Sequence, residues 1–200
     1  MTKRVLDVLL VTIGLILLAP LFAGIAVGVK VTSSGPVMFK QERIGLRGRP
    51  FNLYKFRSMV ADASNLGPQL TVGDDPRVTP LGRFLRRFKL DELPQFFNVL
   101  RGDMSIVGPR PEVPKYVALY PRGVRERVLS VRPGLTDQAA ITLDEERMLA
   151  QAADPELTYV SEVLPSKLAL YEQYVATHDL LVDLAIIART VRRIAFGRGR

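Results

Sequence analysis

With 200 residues, 48% of them apolar, and a mean hydropathy of +0.13, the chain carries enough apolar material for one compact core, which excludes disorder as its main theme. It has no cysteine and a single histidine, His178, so disulfides, a thiol nucleophile and a His/Cys zinc cage are excluded, and any metal would be held by oxygen. The 28 basic against 20 acidic side chains, a net +8, point to anionic partners: phosphates, nucleic acid or a lipid surface.

Between Val8 and Val29 no residue is charged, a run of 22. As a helix it would extend about 33 Å against a hydrocarbon core of roughly 30 Å, whereas the apolar part of a signal peptide is only about 7 to 15 residues, so the run is assigned to a membrane. Lys3 and Arg4 precede it, and Lys30, Lys40, Arg43, Arg47 and Arg49 follow, so both flanks favour the cytoplasmic side. Pro20 removes a helix hydrogen bond near the middle, and Gly14, Gly24 and Gly28 add flexibility, so a bend is expected there. The residues alone leave two topologies open, a spanning helix and a broken helix that enters the membrane and returns.

Two strand-like runs between Val37 and Met59, joined by Arg47-Gly48-Arg49-Pro50, predict a β-hairpin with Lys55 and Arg57 on one face. Asp62 to Asp75, with Gly67-Pro68 and Gly73, has the composition of a loop. Thr79-Pro80 reads as a cap and first position of a helix carrying Leu81, Phe84, Leu85 and Phe88 on one stripe, with Arg83, Arg86, Arg87 and Lys89 between them. Such a helix suits either a core with a solvated face or a lipid headgroup layer. After Pro165, helices are predicted from Lys167 to about Tyr174 and from Leu180 to Phe196, the latter closing on Arg189, Arg192, Arg193, Arg198 and Arg200, a tail that suits anionic lipid.

The densest polar constellation is Leu90-Asp91-Glu92-Leu93-Pro94-Gln95. Pro94 predicts an extended Leu93 and a new helix beginning there, which sets Asp91 and Glu92 just ahead of a helix N-terminus. Capping alone accounts for such acids when isolated. Their surroundings are cationic, however: Arg86 lies five residues before, and Gly108-Pro109-Arg110-Pro111 presents an arginine fixed between prolines, with Lys55 and Arg132 as further candidates. A carboxylate attacks phosphorus only where cations offset the phosphate charge. Without cysteine and with one helical histidine, covalent catalysis falls to such a carboxylate, with a hard divalent ion such as magnesium completing the site. Gly102-Asp103-Met104-Ser105 and Val131-Arg132-Pro133-Gly134 read as turns.

Taken together, Lys3 to Asp7, Tyr54 to Met59, Leu90 to Gln95, Gly102 to Pro111 and Val131 to Thr136 resemble the monotopic phosphoglycosyl transferases, or bacterial sugar transferases. The resemblance implies an α+β, mainly helical protein: a membrane re-entrant helix-break-helix over 1–35, then a cytoplasmic catalytic domain over 36–200 with amphipathic interfacial helices and a small hairpin. It implies an enzyme of the cytoplasmic face of a bacterial inner membrane. Asp91 would attack a nucleotide (UDP) diphosphate sugar and hold the phosphosugar covalently, and a polyprenol phosphate would take it, the first membrane step of exopolysaccharide, O-antigen or glycoprotein glycan assembly. Glu92 would assist proton transfer, Mg2+ would be held at Asp91, and Lys55, Arg86 and Arg110 would contact phosphate; Arg132 is added on its charge alone.

Two stretches depart from the family pattern. Ala19-Pro20 replaces the common Ser-Pro, leaving the bend to proline alone, and Pro133 to Ala140 replaces Pro-Gly-Ile-Thr-Gly-Leu-Ala-Gln, so the sugar is not legible there. The acidic stretch from Leu143 to Pro165 reads as a different sugar contact or as a solvated helix, the second being preferred. A rival from another class, a non-catalytic membrane-tethered adaptor for polyanions, explains the charge but leaves Asp91 and Glu92 only a capping role. Nucleic-acid binding is disfavoured because the basic residues follow apolar helices rather than an aromatic stacking platform. The sugar, the polyprenol length, the pathway and the oligomeric state stay open.

Overall fold

The computed structural model describes residues 2–63, 66–67, 70, 73 and 75–196. Residues 64, 65, 68, 69, 71, 72 and 74 of the expected loop, and Arg198 and Arg200 of the basic tail, lie outside the described residues. The described residues are mainly helical, with two small two-stranded sheets among them.

Helix α1 (Thr2–Thr32) is one continuous element that includes Pro20. The expected break does not interrupt it, because a proline deletes a single N–H and the rest of the apolar run keeps its helical bonds. Among the described residues it is the one helix long and apolar enough to cross a membrane. Ile13, Ile16, Leu17, Val27 and Val31 are exposed, while Val11, Ile25 and Val29 are buried against the rest of the protein. Both ends are tied to that body. Near the start, Lys3 donates to the Val107 carbonyl (3.0 Å) and pairs with Asp183, and Arg4 donates to the Val99 and Leu100 carbonyls. Asp7, buried, accepts from the Ser105 hydroxyl at 2.8 Å and the Ile106 N–H at 3.1 Å. At the far end Arg57 donates to the Ser33 carbonyl and hydroxyl, each at 2.7 Å.

The predicted hairpin is present: β1 (Met38–Ile44) pairs antiparallel with β2 (Pro50–Phe56), from Met38 opposite Phe56 to Ile44 opposite Pro50. The connection turns through left-handed Arg47 (φ 55°) and Gly48 (φ 76°). Since β2 ends at Phe56, alternation stops there, and Lys55 and Arg57 part company: Lys55 meets Glu92 and Arg57 is buried against Ser33. Helix α2 (Pro80–Arg87) begins as expected, with the Thr79 side chain accepting from the Gly82 N–H at 2.9 Å. Its stripe divides: Leu85 is buried with Ile25, Val29 and Phe56, whereas Phe84 is exposed. Gly82 permits this docking, since a Cβ there would lie 1.9 Å from the Ser58 carbonyl oxygen.

Helix α3 (Gln95–Arg101) follows, then β3 (Ser105–Val107), α4 (Pro114–Val117), α5 (Arg122–Val128) and β4 (Gly134–Thr136). The stretches read as turns around Ser105 and Gly134 thus form a short parallel pair, β3 with β4, too brief to show a strand period. The close approach of these segments relies on Gly108, where a Cβ would meet the Arg132 carbonyl oxygen at 2.4 Å. Helices α6 (Gln138–Thr142), α7 (Glu145–Ala150), α8 (Pro155–Thr158), α9 (Leu164–Thr177) and α10 (Leu180–Phe196) follow among the described residues, with a π-helical turn over Tyr159–Val163. The acidic stretch is not simply solvated: Leu149, Tyr159, Val163 and Leu164 join the largest buried cluster, with Val117, Val128, Leu168 and Tyr171. Each buried Val or Leu is worth about 1.5–3 kcal/mol, which outweighs the tendency of the intervening acids to be solvated. His178 is exposed and stacks on Tyr174.

Candidate functional site

The acidic pair is placed by a sharp change of direction after α2. Lys89 adopts a left-handed conformation (φ 56°, ψ 21°), and Leu90–Glu92 form a 3-10 turn that runs into α3. Leu93 is helical (φ −53°, ψ −36°), not extended. The bias that proline imposes on its predecessor is small, and i to i+3 bonds such as Leu93 N–H to Leu90 C=O (3.3 Å) and Phe97 N–H to Pro94 C=O (3.1 Å) override it. Asp91 and Glu92 therefore sit inside a tight turn immediately ahead of α3, as expected, although Leu93 itself is not extended. Asn98 on α3 accepts from the Tyr54 N–H at 3.0 Å and donates to the Asn52 carbonyl at 2.7 Å, fixing α3 to β2 and so setting Lys55 against the turn.

The two neighbours differ in environment. Glu92 accepts from Lys55 at 2.9 Å and pairs with Arg110 through the same oxygen. Burial alone would push its carboxyl up, but the Arg110 and Lys55 charges prevail and hold it well below the usual range. Asp91 is buried, 5% exposed, and its Oδ1 has no hydrogen-bond partner. Burial pushes its carboxyl above the ordinary value, with Lys55 opposing, Glu92 adding to the rise, and Arg86 and Lys89 opposing more weakly. Burial likewise lowers the Lys55 ammonium, with Glu92 pulling the other way.

The structure thus brings Asp91, Glu92, Lys55 and Arg110 together, with Arg86 beside them, its Nε donating to Ser58 Oγ at 2.9 Å. Arg132 is placed differently: it is exposed, donates to the Gly102 carbonyl at 2.9 Å, and forms neither a hydrogen bond nor an ion pair with the acids. Sequence reasoning missed several groups. Asn98 carried no charge signal, and Gln95, fully buried with an unpartnered Nε2, fell within the polar constellation but was given no role. Asp137 caps α6 through Oδ1 (Ala140 N–H, 2.8 Å), leaves Oδ2 without a partner, and its charge is felt at Arg110. Glu112, Lys167 and Tyr159 form a buried cluster with the partly exposed Arg43 at its edge.

Among the described residues no three His, Asp or Glu side chains converge as a ready metal cage. The donor set still fits a hard divalent ion of the magnesium type. The unpartnered Asp91 oxygen supplies one carboxylate, and such ions take the remaining ligands from water and substrate phosphates.

A family profile for bacterial sugar transferases matches residues 1–197. The chain belongs to the bacterial sugar transferase family. That match carries the sugar transferase region through α10, well past Thr136, where the motif resemblance fades. The UDP-N-acetylgalactosamine-undecaprenyl-phosphate N-acetylgalactosaminephosphotransferase of Aeromonas hydrophila is 38% identical over 199 residues, covering 98% of this chain and 44% of that protein. The undecaprenyl-phosphate glucose phosphotransferase of Komagataeibacter xylinus is 39% identical over 202 residues, 98% of this chain and 36% of that protein. The exopolysaccharide production protein ExoY of Sinorhizobium fredii is 34% identical over 213 residues, 99% of this chain and 87% of that protein. This sugar transferase chain spans less than half the length of the first two relatives.

Proposed function

We propose that the chain transfers a phosphosugar from a UDP-sugar to a polyprenol phosphate, with Asp91 as the nucleophile. The observation that carries this reading is the buried Asp91 carboxylate with an unpartnered oxygen, beside a Glu92 that Lys55 and Arg110 engage, with the charges of Lys55 and Arg86 felt at Asp91. A phosphate entering there finds cations already held in place, which is the arrangement electrostatic stabilisation requires. The substrate classes follow the names of relatives, which specify undecaprenyl phosphate with N-acetylgalactosamine or glucose donors.

In the first half-reaction an Asp91 oxygen forms a bond to the sugar-bearing phosphorus, the bond from that phosphorus to the bridging oxygen breaks, and nucleoside monophosphate leaves with the electron pair. In the second, a polyprenol phosphate oxygen attacks the same phosphorus and Asp91 departs as a carboxylate. Lys55 and Arg110 contact phosphate, and Glu92 holds the two cations at the distance a phosphate needs. A magnesium ion held at Asp91 would supply charge neutralisation of the donor pyrophosphate.

The membrane arrangement we favour keeps both ends of α1, which is continuous across Pro20, on the cytoplasmic side of the inner membrane with the catalytic body. Support comes from the bonds of Lys3, Arg4 and Asp7 at one end of α1 and of Ser33 just beyond the other, all to the same folded body. The exposed apolar side chains of α10, Leu181, Leu184, Val191 and Ile194, alternate with Arg189, Arg192 and Arg193 and suit the headgroup layer.

The test is to supply the detergent-solubilised protein with magnesium, undecaprenyl phosphate and a panel of UDP-sugars, and to measure UMP. Release from one donor, with an added phosphosugar on Asp91 by intact mass, is expected. A folded protein that releases UMP from none of them refutes the proposal and leaves the adaptor reading.

A further inference from the structure

Arg110 lies in Pro109-Arg110-Pro111-Glu112, between β3 and α4, a segment whose two prolines remove backbone donors and fix φ. Its own tethers are few: the Pro109 carbonyl accepts from the Gly134 N–H at 2.9 Å and the Glu112 carbonyl from the Ile44 N–H at 3.0 Å. The side chain of Glu112, in contrast, is held from three directions. Lys167 on α9 donates to Oε1 at 2.8 Å, the Tyr159 hydroxyl donates to the same oxygen at 2.6 Å, and Arg43 on β1 approaches Oε2 at 3.4 Å. Arg43 also donates to the Pro111 carbonyl at 2.9 Å, and Lys167 meets the Tyr159 oxygen at 3.1 Å and Glu145 at 3.3 Å. Glu112, Tyr159 and Lys167 are all buried.

Neither Glu112 nor Lys167 has a hydrogen bond or ion pair with Asp91 or Glu92, so the cluster is not part of the acidic site. A buried ion pair is no better for stability than well-packed apolar residues of similar volume; what it adds is a fixed direction. Here the fixed group is two residues along a rigid segment from the arginine that pairs with Glu92. We propose that Lys167 is a positioning residue for catalysis, setting the Arg110 guanidinium toward the phosphate site by anchoring Glu112. The proposal deepens the transferase reading, resting on Arg110 as a phosphate contact, and gives a task to the region where the motif resemblance fades.

The test is a double-mutant cycle on the full chain in detergent, reading UMP release as kcat and KM for the donor, with thermal unfolding recorded for each variant. Lys167→Met in the otherwise native protein is expected to lower kcat/KM on the order of tenfold, a size within the range of couplings transmitted through a backbone shift. In an Arg110→Lys background, where the planar fork is already gone, the same change should cost less than about twofold. Lys167→Arg should recover most of the loss. If Lys167→Met does not fold, Tyr159→Phe, which removes a single hydroxyl, carries the same comparison. If Arg110→Lys turns over too slowly, the cycle is run on UDP affinity by calorimetry. Equal fold-losses in both backgrounds, or losses that track the unfolded fraction, overturn the proposal while leaving an active wild type and its function intact. A wild type that releases no UMP overturns both.

Discussion

Asp91 and Glu92 are adjacent in the chain and both largely buried, yet one carboxylate is shared by two cations and the other keeps an oxygen unpartnered. Their proton affinities are pushed apart, Glu92 downward by Arg110 and Lys55, Asp91 upward by burial. Such a split between neighbouring carboxyls separates a structural charge from a reactive one.

Activity is expected to fall on the acid side with an apparent pKa above the ordinary aspartate value of 3.8, because the nucleophile must be ionised and burial favours its protonated form. A rate profile of UMP release from pH 4 to 8 checks this. If Glu92 moves a proton, Glu92→Gln flattens a second limb of the profile; if it only arranges cations, the variant lowers the whole curve without changing its shape.

Asp91→Asn should abolish turnover by at least about a thousandfold and also stabilise the fold. The native state holds the Asp91 proton more tightly than the unfolded chain, so the carboxyl contributes least to stability above its folded pKa, where it is buried and ionised. Removing the charge is expected to add on the order of 1 kcal/mol, or ~3 °C in Tm. Calorimetry at neutral pH measures the gain.

Glu92 follows the opposite sign. Its folded carboxyl titrates below the ordinary 4.5, so its contribution is fully present above that pH and is lost as the pH falls below it. Glu92→Gln should therefore destabilise at pH 7 and cost progressively less below pH 4.5, as followed by urea unfolding.

Lys167→Met leaves Glu112 buried with one cation fewer and is expected to cost about 3–5 kcal/mol. Combined with Glu112→Gln, which removes the unbalanced charge, the loss should shrink to about 1 kcal/mol. Chemical denaturation of the two singles and the double gives the coupling directly.

For topology, cysteines at Thr2 and Lys40 should both resist a membrane-impermeant thiol reagent in intact cells and both react after permeabilisation. Labelling of one alone from outside would establish a spanning helix.

Much of the scaffold was legible because its signals are local and periodic: the apolar run of α1, the hairpin alternation, the Thr79 cap and the helix from Leu180 to Phe196. Asp91, Glu92 and Arg110 stood out as charges beside prolines and turns, whereas Lys55 and Arg86, inside a strand and a helix, were singled out by charge and by the family resemblance. The conformation of Leu93 was not, since a weak steric preference was set against packing of the whole turn. Nor was the partnership of Glu112 with Lys167, because the two lie 55 positions apart and an interior lysine has no local signature. The tasks of Lys3, Arg4 and Asp7 were hidden for the same reason: Lys3 and Arg4 read only as charges favouring the cytoplasmic side, while the fold spends them, and Asp7, on carbonyls and hydroxyls far along the chain.

Those N-terminal bonds bear on any attempt to make the protein water-soluble by truncation. Excising α1 would strip Val11 from Leu53, Val99 and Met104, remove Ile25 and Val29 from Leu85, leave the Ser105 hydroxyl without Asp7, and take the Lys3 cation from the Asp183 carboxylate, leaving it the Tyr174 hydroxyl. A shortened chain would lack an interior wall rather than an appendage, and solubilisation has to begin from detergents or nanodiscs around the whole polypeptide.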